Sequence, residues 1–323
     1  MKQFENNLQT WASYIIINMI RNPLFAKRGI IMKSIGIATD SHSGILPTRA
    51  KELGVMVLPM PFFFGEECLF EEVSITREQF FQRLNAGETV STSQPSPESV
   101  MEFWREGLKE YESIVYIPMS SGLSGSCHTA MMLANEEEFE GKVFVVDNGR
   151  VATPLHRSIL DALELVEEGY SAEKIKEILE ADKENMTIYI AVETLEYLKK
   201  GGRITATTAA LGTLLNIKPV LRLGVGVLDT YKKCRGMKKA KAEMLATMKQ
   251  EMETTYKEAI EKGEFCLMAA TSADEETTKA WVEEIKAYFP GMEVMCNYLT
   301  MGISCHTGEG ALGIGCSCKP KRK

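Results

Sequence analysis

The sequence is poor in the residue patterns that metal sites and nucleic-acid surfaces require. It has four His, and its eight Cys form no recognisable ligand set: Cys316 and Cys318 lie two apart, without a second close pair or a His pair. We therefore predict no metal site. The net charge of -7 argues against a nucleic-acid partner, because binding to a phosphate backbone uses concentrated Lys and Arg. The one strongly basic run is the tail, residues 319–323.

The chain also lacks a long apolar run and the common nucleotide-binding motifs. Residues 11–20 are apolar but too few to span a bilayer, and no small-residue cleavage site follows them, so we expect no stable membrane anchor. No glycine sequence is a Walker loop or a dinucleotide-binding fingerprint, so no cofactor is predicted. The cysteines are those expected of reduced thiols, which indicates a cytoplasmic protein.

What the sequence does contain is an alternation of strand-like and helix-like segments. Such alternation predicts a parallel sheet covered on both faces. The strand-like runs are residues 35–39, 55–64, 114–118 and 143–147, and the helical ones are residues 46–53, 77–84, 97–111, 127–138 and 155–168.

The composition shifts near residue 185, which predicts a second domain. Beyond that point we expect helices over residues 209–215 and 240–260, strands near residues 187–192 and 265–270, and a closing glycine-dense loop over residues 306–315. The predicted organisation is an N-terminal extension (1–31), an N-terminal α/β domain (33–185) and a C-terminal α/β domain (186–320).

Two hydroxyl-rich loops follow predicted strands of the first domain. Residues 120–126 read Ser-Ser-Gly-Leu-Ser-Gly-Ser, and the loop around Thr92 reads Ser-Thr-Ser-Gln-Pro. Helix N-termini in such places favour anions, and the carboxyl ends of parallel strands meet at one crevice, so the two loops together could hold a carboxylate. Ser121 alone fits a helix cap, an anion ligand or a nucleophile, although the nucleophile-elbow pattern is missing.

Two further residues and the apolar composition are informative. His306 is flanked by glycines, which lets a ligand or another backbone approach it, although a core histidine fits as well. Arg203 follows Gly201-Gly202 and could cap carbonyl groups, pair with an acid or face a partner. The 18 Met and 13 Phe suit an ordinary core or an adaptable tunnel for an alkyl chain.

Six segments in order resemble the DegV family, the fatty-acid-binding subunits of bacterial fatty acid kinase. The match runs from about residue 35 to residue 318 and leaves out residues 1–31. Its segments are Thr39-Asp40-Ser41, Thr92-Ser93-Gln94-Pro95, Ser120 to Gly125, Tyr197 to Ile204, Leu214 to Pro219, and His306-Thr307-Gly308 with Gly310 to Gly313.

The resemblance implies a two-domain α/β fold, with a parallel-sheet, Rossmann-like N-terminal domain and a smaller C-terminal one. It implies a long-chain fatty acid between the domains, its carboxylate held by Thr92 and Ser121 with His306 in the hydrogen-bond network. Arg203 would face an ATP-binding kinase subunit that converts the acid to an acyl phosphate. On this interpretation the chain presents a substrate and is not itself an enzyme.

Two positions depart from the family pattern, and one alternative function stays open. Glu309 stands where the family usually has Pro, which could raise the proton affinity of His306 or change its loop, and His42 stands where a small hydroxyl residue is common. The alternative is an acyl hydrolase that uses Ser121 as nucleophile and His306 as base.

Overall fold

The computed structural model describes residues 33–210, 217–223 and 228–322. Its strands are β1 (Lys33–Asp40), β2 (Met56–Leu58), β3 (Phe62–Phe64), β4 (Glu67–Leu69), β5 (Val90–Thr92), β6 (Tyr111–Ile117), β7 (Val143–Val145), β8 (Met186–Ala191), β9 (Val220–Leu223), β10 (Leu228–Lys232), β11 (Phe265–Thr271), β12 (Val294–Tyr298) and β13 (Leu312–Cys318). Its helices are α1 (Pro47–Leu53), α2 (Arg77–Asn85), α3 (Pro97–Gly107), α4 (Ser126–Leu133), α5 (Ala152–Glu167), α6 (Ala172–Ala181), α7 (Glu196–Gly201), α8 (Ala206–Ala209), α9 (Met237–Glu253), α10 (Lys257–Glu261), α11 (Glu275–Tyr288) and α12 (Met301–Thr307).

The N-terminal sheet has four parallel strands in the order β2-β1-β6-β7. Side chains alternate across β1, so Ile37 packs in a cluster with α5 and α6, whereas Ala38 packs on the other face with residues of α3 and α4. The predicted parallel sheet covered on both faces is thereby confirmed. All four strands end at one edge of the sheet, which brings their following loops together.

The apolar run over residues 55–64 forms two strands in two different sheets. Its first part is β2, whereas Phe62–Phe64 is the centre of a three-stranded antiparallel sheet with order β4-β3-β5. Phe62 and Phe80 pack edge to face with ring centroids 5.4 Å apart. Phe62 also pairs with Thr92 at the end of β5, so this small aromatic sheet sets the position of Thr92.

The C-terminal sheet has six strands in the order β10-β9-β8-β13-β11-β12, antiparallel except for the β11–β12 pair. The predicted glycine-dense loop over residues 306–315 is wrong: His306 lies in α12, and β13 is a fully buried central strand. An added Cβ at Gly313 would lie 3.2 Å from the Ala270 carbonyl oxygen, and one at Gly315 would lie 2.7 Å from that of Thr187. These glycines allow close packing of the sheet, which their sequence pattern alone does not distinguish from a loop.

The predicted helices over residues 97–111 and 240–260 differ from those observed. The helix that was expected over residues 97–111 ends at Gly107, because Tyr111 already begins β6. The single helix expected over residues 240–260 is divided into α9 and α10, with a break at Thr254, where φ is -117° and ψ is -80°. The helix expected over residues 209–215 falls mostly outside the described residues, which contain α8 up to Ala209.

Helix α5 connects the two sheets, since it contacts β1 and β6 on one side and β11, β12 and β13 on the other. At its start, the Thr153 hydroxyl donates a 2.9 Å hydrogen bond to the carbonyl oxygen of Ala269 in β11. The predicted fold class, a parallel-sheet N-terminal domain followed by a further α/β region, is confirmed, although the C-terminal sheet has more strands than the N-terminal one. The exact domain limits stay a prediction.

Candidate functional site

A cavity of about 280 Å³ lies between the loop edge of the N-terminal sheet and one face of the C-terminal sheet. Its lining is mostly apolar, and residues from both halves of the chain contribute to it. Alternate residues of the C-terminal strands form its floor, since successive side chains of a strand point to opposite faces. These floor residues are Ile188, Ile190, Met268, Ala270, Gly313 and Gly315. The two glycines of β13 leave space above the middle of the sheet.

One end of the cavity is polar, and Thr92 and His306 form its centre. The Thr92 Oγ1 and His306 Nε2 atoms lie 2.9 Å apart, within hydrogen-bond distance. Thr92 ends β5, and His306 lies in the last turn of α12, so elements from the two halves of the chain meet here. Ser93, Gln94 and Ser124 also line the cavity.

The His306 ring lies directly against Gly201 at the end of α7. A Cβ at position 201 would be 2.0 Å from His306 Nδ1, so the ring occupies the space that any side chain would need. Nδ1 is buried and has no hydrogen-bond partner within the described part of the chain. Burial, with the nearby Arg203 guanidinium and His42, lowers the pKa of His306 to about 4, so the imidazole is neutral near pH 7. This is opposite to the rise in proton affinity that was considered for Glu309, whose carboxylate accepts a 2.6 Å hydrogen bond from Asn85.

Arg203 lines the same cavity. Its Nε donates a 3.1 Å hydrogen bond to the Leu123 carbonyl oxygen, and its Nη1 donates to that of Gly201. Leu123 belongs to the Ser-Gly loop, so Arg203 ties α7 to the loop edge of the N-terminal sheet. The cavity lining within the described residues contains no Asp, Glu or Lys. One guanidinium and neutral donors therefore face the polar end, which suits an anion.

Ser121 lies apart from this pair. Its hydroxyl donates a 2.6 Å hydrogen bond to Asp147 Oδ2, and its N–H donates a 3.2 Å bond to Oδ1 of the same residue. Lys183 Nζ is 3.2 Å from Asp147 Oδ2. Burial acts to raise the pKa of Asp147, but the hydrogen bonds from Ser121 and Lys183 outweigh it, and the pKa is lowered. Ser121 is not among the cavity-lining residues, so the structure brings together Thr92, His306 and Arg203 of the four predicted site residues.

The sequence interpretation did not assign Ser124, Gly201 or His42 to the site, although all three lie in or beside quoted motifs. Ser124 was present in the same Ser-Gly loop as Ser121, and only the loop path decides which hydroxyl faces the cavity. Gly201 looked like a helix terminus, and its contact with His306 joins residues more than a hundred positions apart. In the described ranges, no helix combines the length and the apolar character that a membrane crossing requires.

The chain is similar to known proteins in sequence and in fold. The family model described as "Uncharacterised protein, DegV family" matches residues 34–319. A DegV domain-containing protein from Halalkalibacterium halodurans is 31% identical over 285 residues, which are 88% of this chain and 98% of that protein. Two solved structures are similar in fold and sequence. A DegV family protein from Thermus thermophilus, described by its fatty acid binding, has 34% identity and a TM-score of 0.78, covering 88% of this chain and 99% of its own. DegV from Bacillus subtilis, described as a fatty acid binding protein, has 27% identity and a TM-score of 0.75, covering 89% and 100%.

Proposed function

Because the chain belongs to the DegV family, we propose that it binds a long-chain fatty acid in the cavity and presents the carboxylate to an ATP-dependent kinase subunit. The observation that carries the proposal is the shape and polarity of the cavity: an apolar interior with the Thr92–His306 pair and Arg203 at one end. The Thermus thermophilus protein, described as fatty-acid-binding, supports the ligand class.

The two parts of the ligand have different roles in this proposal. Each buried methylene contributes about 0.8 kcal/mol, so the acyl tail supplies most of the affinity. A carboxylate that enters an apolar cavity loses its hydration, and this loss is costly unless each oxygen receives hydrogen bonds. The Thr92 hydroxyl, His306 and Arg203 provide donors at one place. The head group therefore fixes the position of the ligand.

The protonation of His306 is expected to change when the head group binds. Burial keeps this imidazole neutral, with a pKa of about 4. A carboxylate next to the ring favours the charged form and raises the pKa. Binding near pH 6 should consequently take up a proton from solution, which calorimetry in buffers of different ionisation enthalpy measures. Binding without proton uptake would place the carboxylate away from His306.

We assign the phosphoryl-transfer step to a partner in the cytoplasm. Phosphoryl transfer from ATP needs Mg²⁺, which carboxylates usually help to hold, and groups that neutralise the transferring phosphoryl group. The cavity lining within the described residues offers one cation and no carboxylate. The chain would supply an oriented carboxylate, and the kinase subunit would supply ATP and the metal. Arg203 is the proposed contact between the two.

The geometry does not favour the alternative acyl hydrolase. A serine nucleophile needs a base within hydrogen-bond reach. The Ser121 hydroxyl instead bonds Asp147 at 2.6 Å, and His306 Nε2 pairs with Thr92. For Ser121 to contact a carboxylate, as the family resemblance also predicts, its hydroxyl would have to leave Asp147.

Two experiments test the proposal: identification of the ligand that co-purifies with the protein, and comparison of two variants. Native mass spectrometry after expression in bacteria should detect a long-chain acid, and the delipidated protein should bind palmitic acid. Thr92→Val keeps the side-chain shape and removes the hydroxyl, so it should weaken palmitic acid binding about tenfold.

Ser121→Ala separates the two possible roles of that serine. If Ser121 binds the carboxylate, the variant loses acyl-phosphate formation with the kinase as Thr92→Val does; if it only holds its loop on Asp147, the loss is smaller. A protein that takes up no fatty acid would refute the proposed function. Turnover of a chromogenic ester that Ser121→Ala abolishes would favour the hydrolase instead.

A further inference from the structure

His42 is a further polar side chain in the cavity, and the proposed head-group site does not use it. It follows β1 in a short turn, lines the cavity and is 7% exposed. Its Nδ1 atom is buried and makes no hydrogen bond within the described part of the chain. Its Nε2 atom lies against Gly302 of α12, where an added Cβ would be only 2.7 Å away. The glycine thus makes room for the ring to face the cavity.

The neighbouring Asp40 decides which ring nitrogen carries the proton. This carboxylate is fully buried and accepts hydrogen bonds from the backbone N–H groups of His42, at 2.9 Å, and Met119, at 2.8 Å. His42 Nδ1 lies 3.5 Å from Asp40 Oδ1, which is too long for a good hydrogen bond. It is close enough, however, that a lone pair on Nδ1 would face a negative oxygen. The proton is therefore favoured on Nδ1, and Nε2 carries the acceptor lone pair.

Two backbone N–H groups of segments beside His42 already donate to other groups. The Met301 N–H, next to Gly302, donates to Glu71 at 3.1 Å. The Met60 N–H donates to the Ser41 hydroxyl at 3.1 Å. Among the described residues, no donor is hydrogen-bonded to Nε2, so this atom is available to accept a hydrogen bond from a ligand in the cavity. A ligand that brings its own donor would supply this hydrogen bond.

We propose that His42 Nε2 accepts a hydrogen bond from a hydroxyl group of the bound acid, so that the cavity selects hydroxylated long-chain fatty acids. This inference rests on the proposed function, since it takes the carboxylate to lie at Thr92 and His306. Gly302, which lies against His42, precedes His306 by four residues on α12, so the backbone positions beside the two sites are about 6 Å apart along the helix axis. The hydroxyl group therefore belongs on the first few carbons of the acyl chain.

His42 and the head-group site at Thr92 and His306 do not compete for the carboxylate, because they offer different hydrogen-bonding groups. A carboxylate only accepts hydrogen bonds, so the Nε2 lone pair of His42 repels it, whereas Thr92 and Arg203 provide donors for it. A hydroxyl group can donate to Nε2. A fluorine atom of similar size at the same carbon cannot, and this difference gives a direct probe.

The test measures the affinity of the delipidated full chain for palmitic, 3-hydroxypalmitic and 3-fluoropalmitic acids by calorimetry. We expect 3-hydroxypalmitic acid to bind about tenfold more tightly than the other two. His42→Leu removes the acceptor and should reverse the preference, because the hydroxyl group is then buried without a partner. His42→Gln offers an amide oxygen and should restore part of it.

Met60→Leu serves as the matched control, because it alters another cavity wall without changing a polar group. It should change the three affinities together and keep their ratios. Equal binding of hydroxy and fluoro acids to the wild-type chain overturns the inference, as does a preference that persists in His42→Leu. The ratio of the wild-type affinities for the hydroxy and fluoro acids tests the inference even if His42→Leu does not fold. Failure of palmitic acid to bind at all would instead refute the proposed function, and the inference with it.

Discussion

Replacing Gly201 with alanine tests the head-group site without touching a polar side chain. The new Cβ would lie 2.0 Å from His306 Nδ1 and 2.6 Å from Cε1, far inside van der Waals contact. The ring must move, and the 2.9 Å contact between Thr92 and His306 is then lost. A head group that loses one buried hydrogen bond binds less well by about 1–3 kcal/mol, which is a fall of roughly ten- to a hundredfold in affinity.

The stability of the Gly201→Ala variant should change little, because two effects oppose each other. Alanine favours the helical backbone over glycine by about 1 kcal/mol. Displacement of the ring costs about 1–3 kcal/mol. Gly201 is the last residue of α7, and its backbone does not require glycine in the way that Gly202 does, which has a φ of 68°.

Gly202→Ala provides the matched control for this prediction. No heavy atom lies within 4 Å of a Cβ built at Gly202, so the cavity is untouched, whereas the left-handed backbone makes alanine less favourable by about 1 kcal/mol. Palmitic acid titrations and thermal melts of both variants should therefore give crossed results: Gly201→Ala loses affinity, and Gly202→Ala loses stability. Wild-type affinity in Gly201→Ala would refute the role of the Gly201–His306 contact in the site.

Three further predictions concern stability. Burial raises the pKa of Glu71 from 4.5 to about 7, so ionisation of this carboxyl group destabilises the fold as the pH rises through this interval. The stability of Glu71→Gln relative to wild type should therefore rise by up to about 2 kcal/mol between about pH 5 and pH 8. A difference in urea midpoints that does not change with pH would contradict this. Gly315→Ala should lower the free energy of unfolding by about 1–3 kcal/mol, because its Cβ would lie 2.7 Å from the Thr187 carbonyl oxygen; an unchanged denaturation midpoint would be the opposite result. Arg77 lies 4.4 Å from the centre of the Tyr298 ring and donates hydrogen bonds to two backbone carbonyl groups of the C-terminal half. Arg77→Lys should therefore lower the free energy of unfolding by about 1 kcal/mol, which thermal melts measure. A melting temperature equal to that of wild type would show that these contacts do not stabilise the fold.

Much of the fold could be predicted from local patterns in the chain. Thr76, Ser96 and Ser171 each stand directly before a helix in the sequence, and each side chain accepts a hydrogen bond from the backbone N–H three residues later. Such signals are reliable because cap and helix lie within a few residues of each other. The glycine pattern did not distinguish a loop from a strand. Gly313 and Gly315 look like loop residues in the sequence, and only the neighbouring strands show why no side chain fits there.

In the candidate site, too, some features follow from the sequence and others only from the tertiary structure. The order of motifs along the sequence determined the α/β class, the family and the choice of Thr92 and His306, because residue types and short spacings are local properties of a chain. The tertiary structure decided that these two side chains meet, that Ser121 bonds Asp147, and that His42 faces the cavity over Gly302. These contacts join residues far apart in sequence, and their geometry depends on how two sheets pack around α5. Packing of this kind is a property of the whole fold, which no short segment carries.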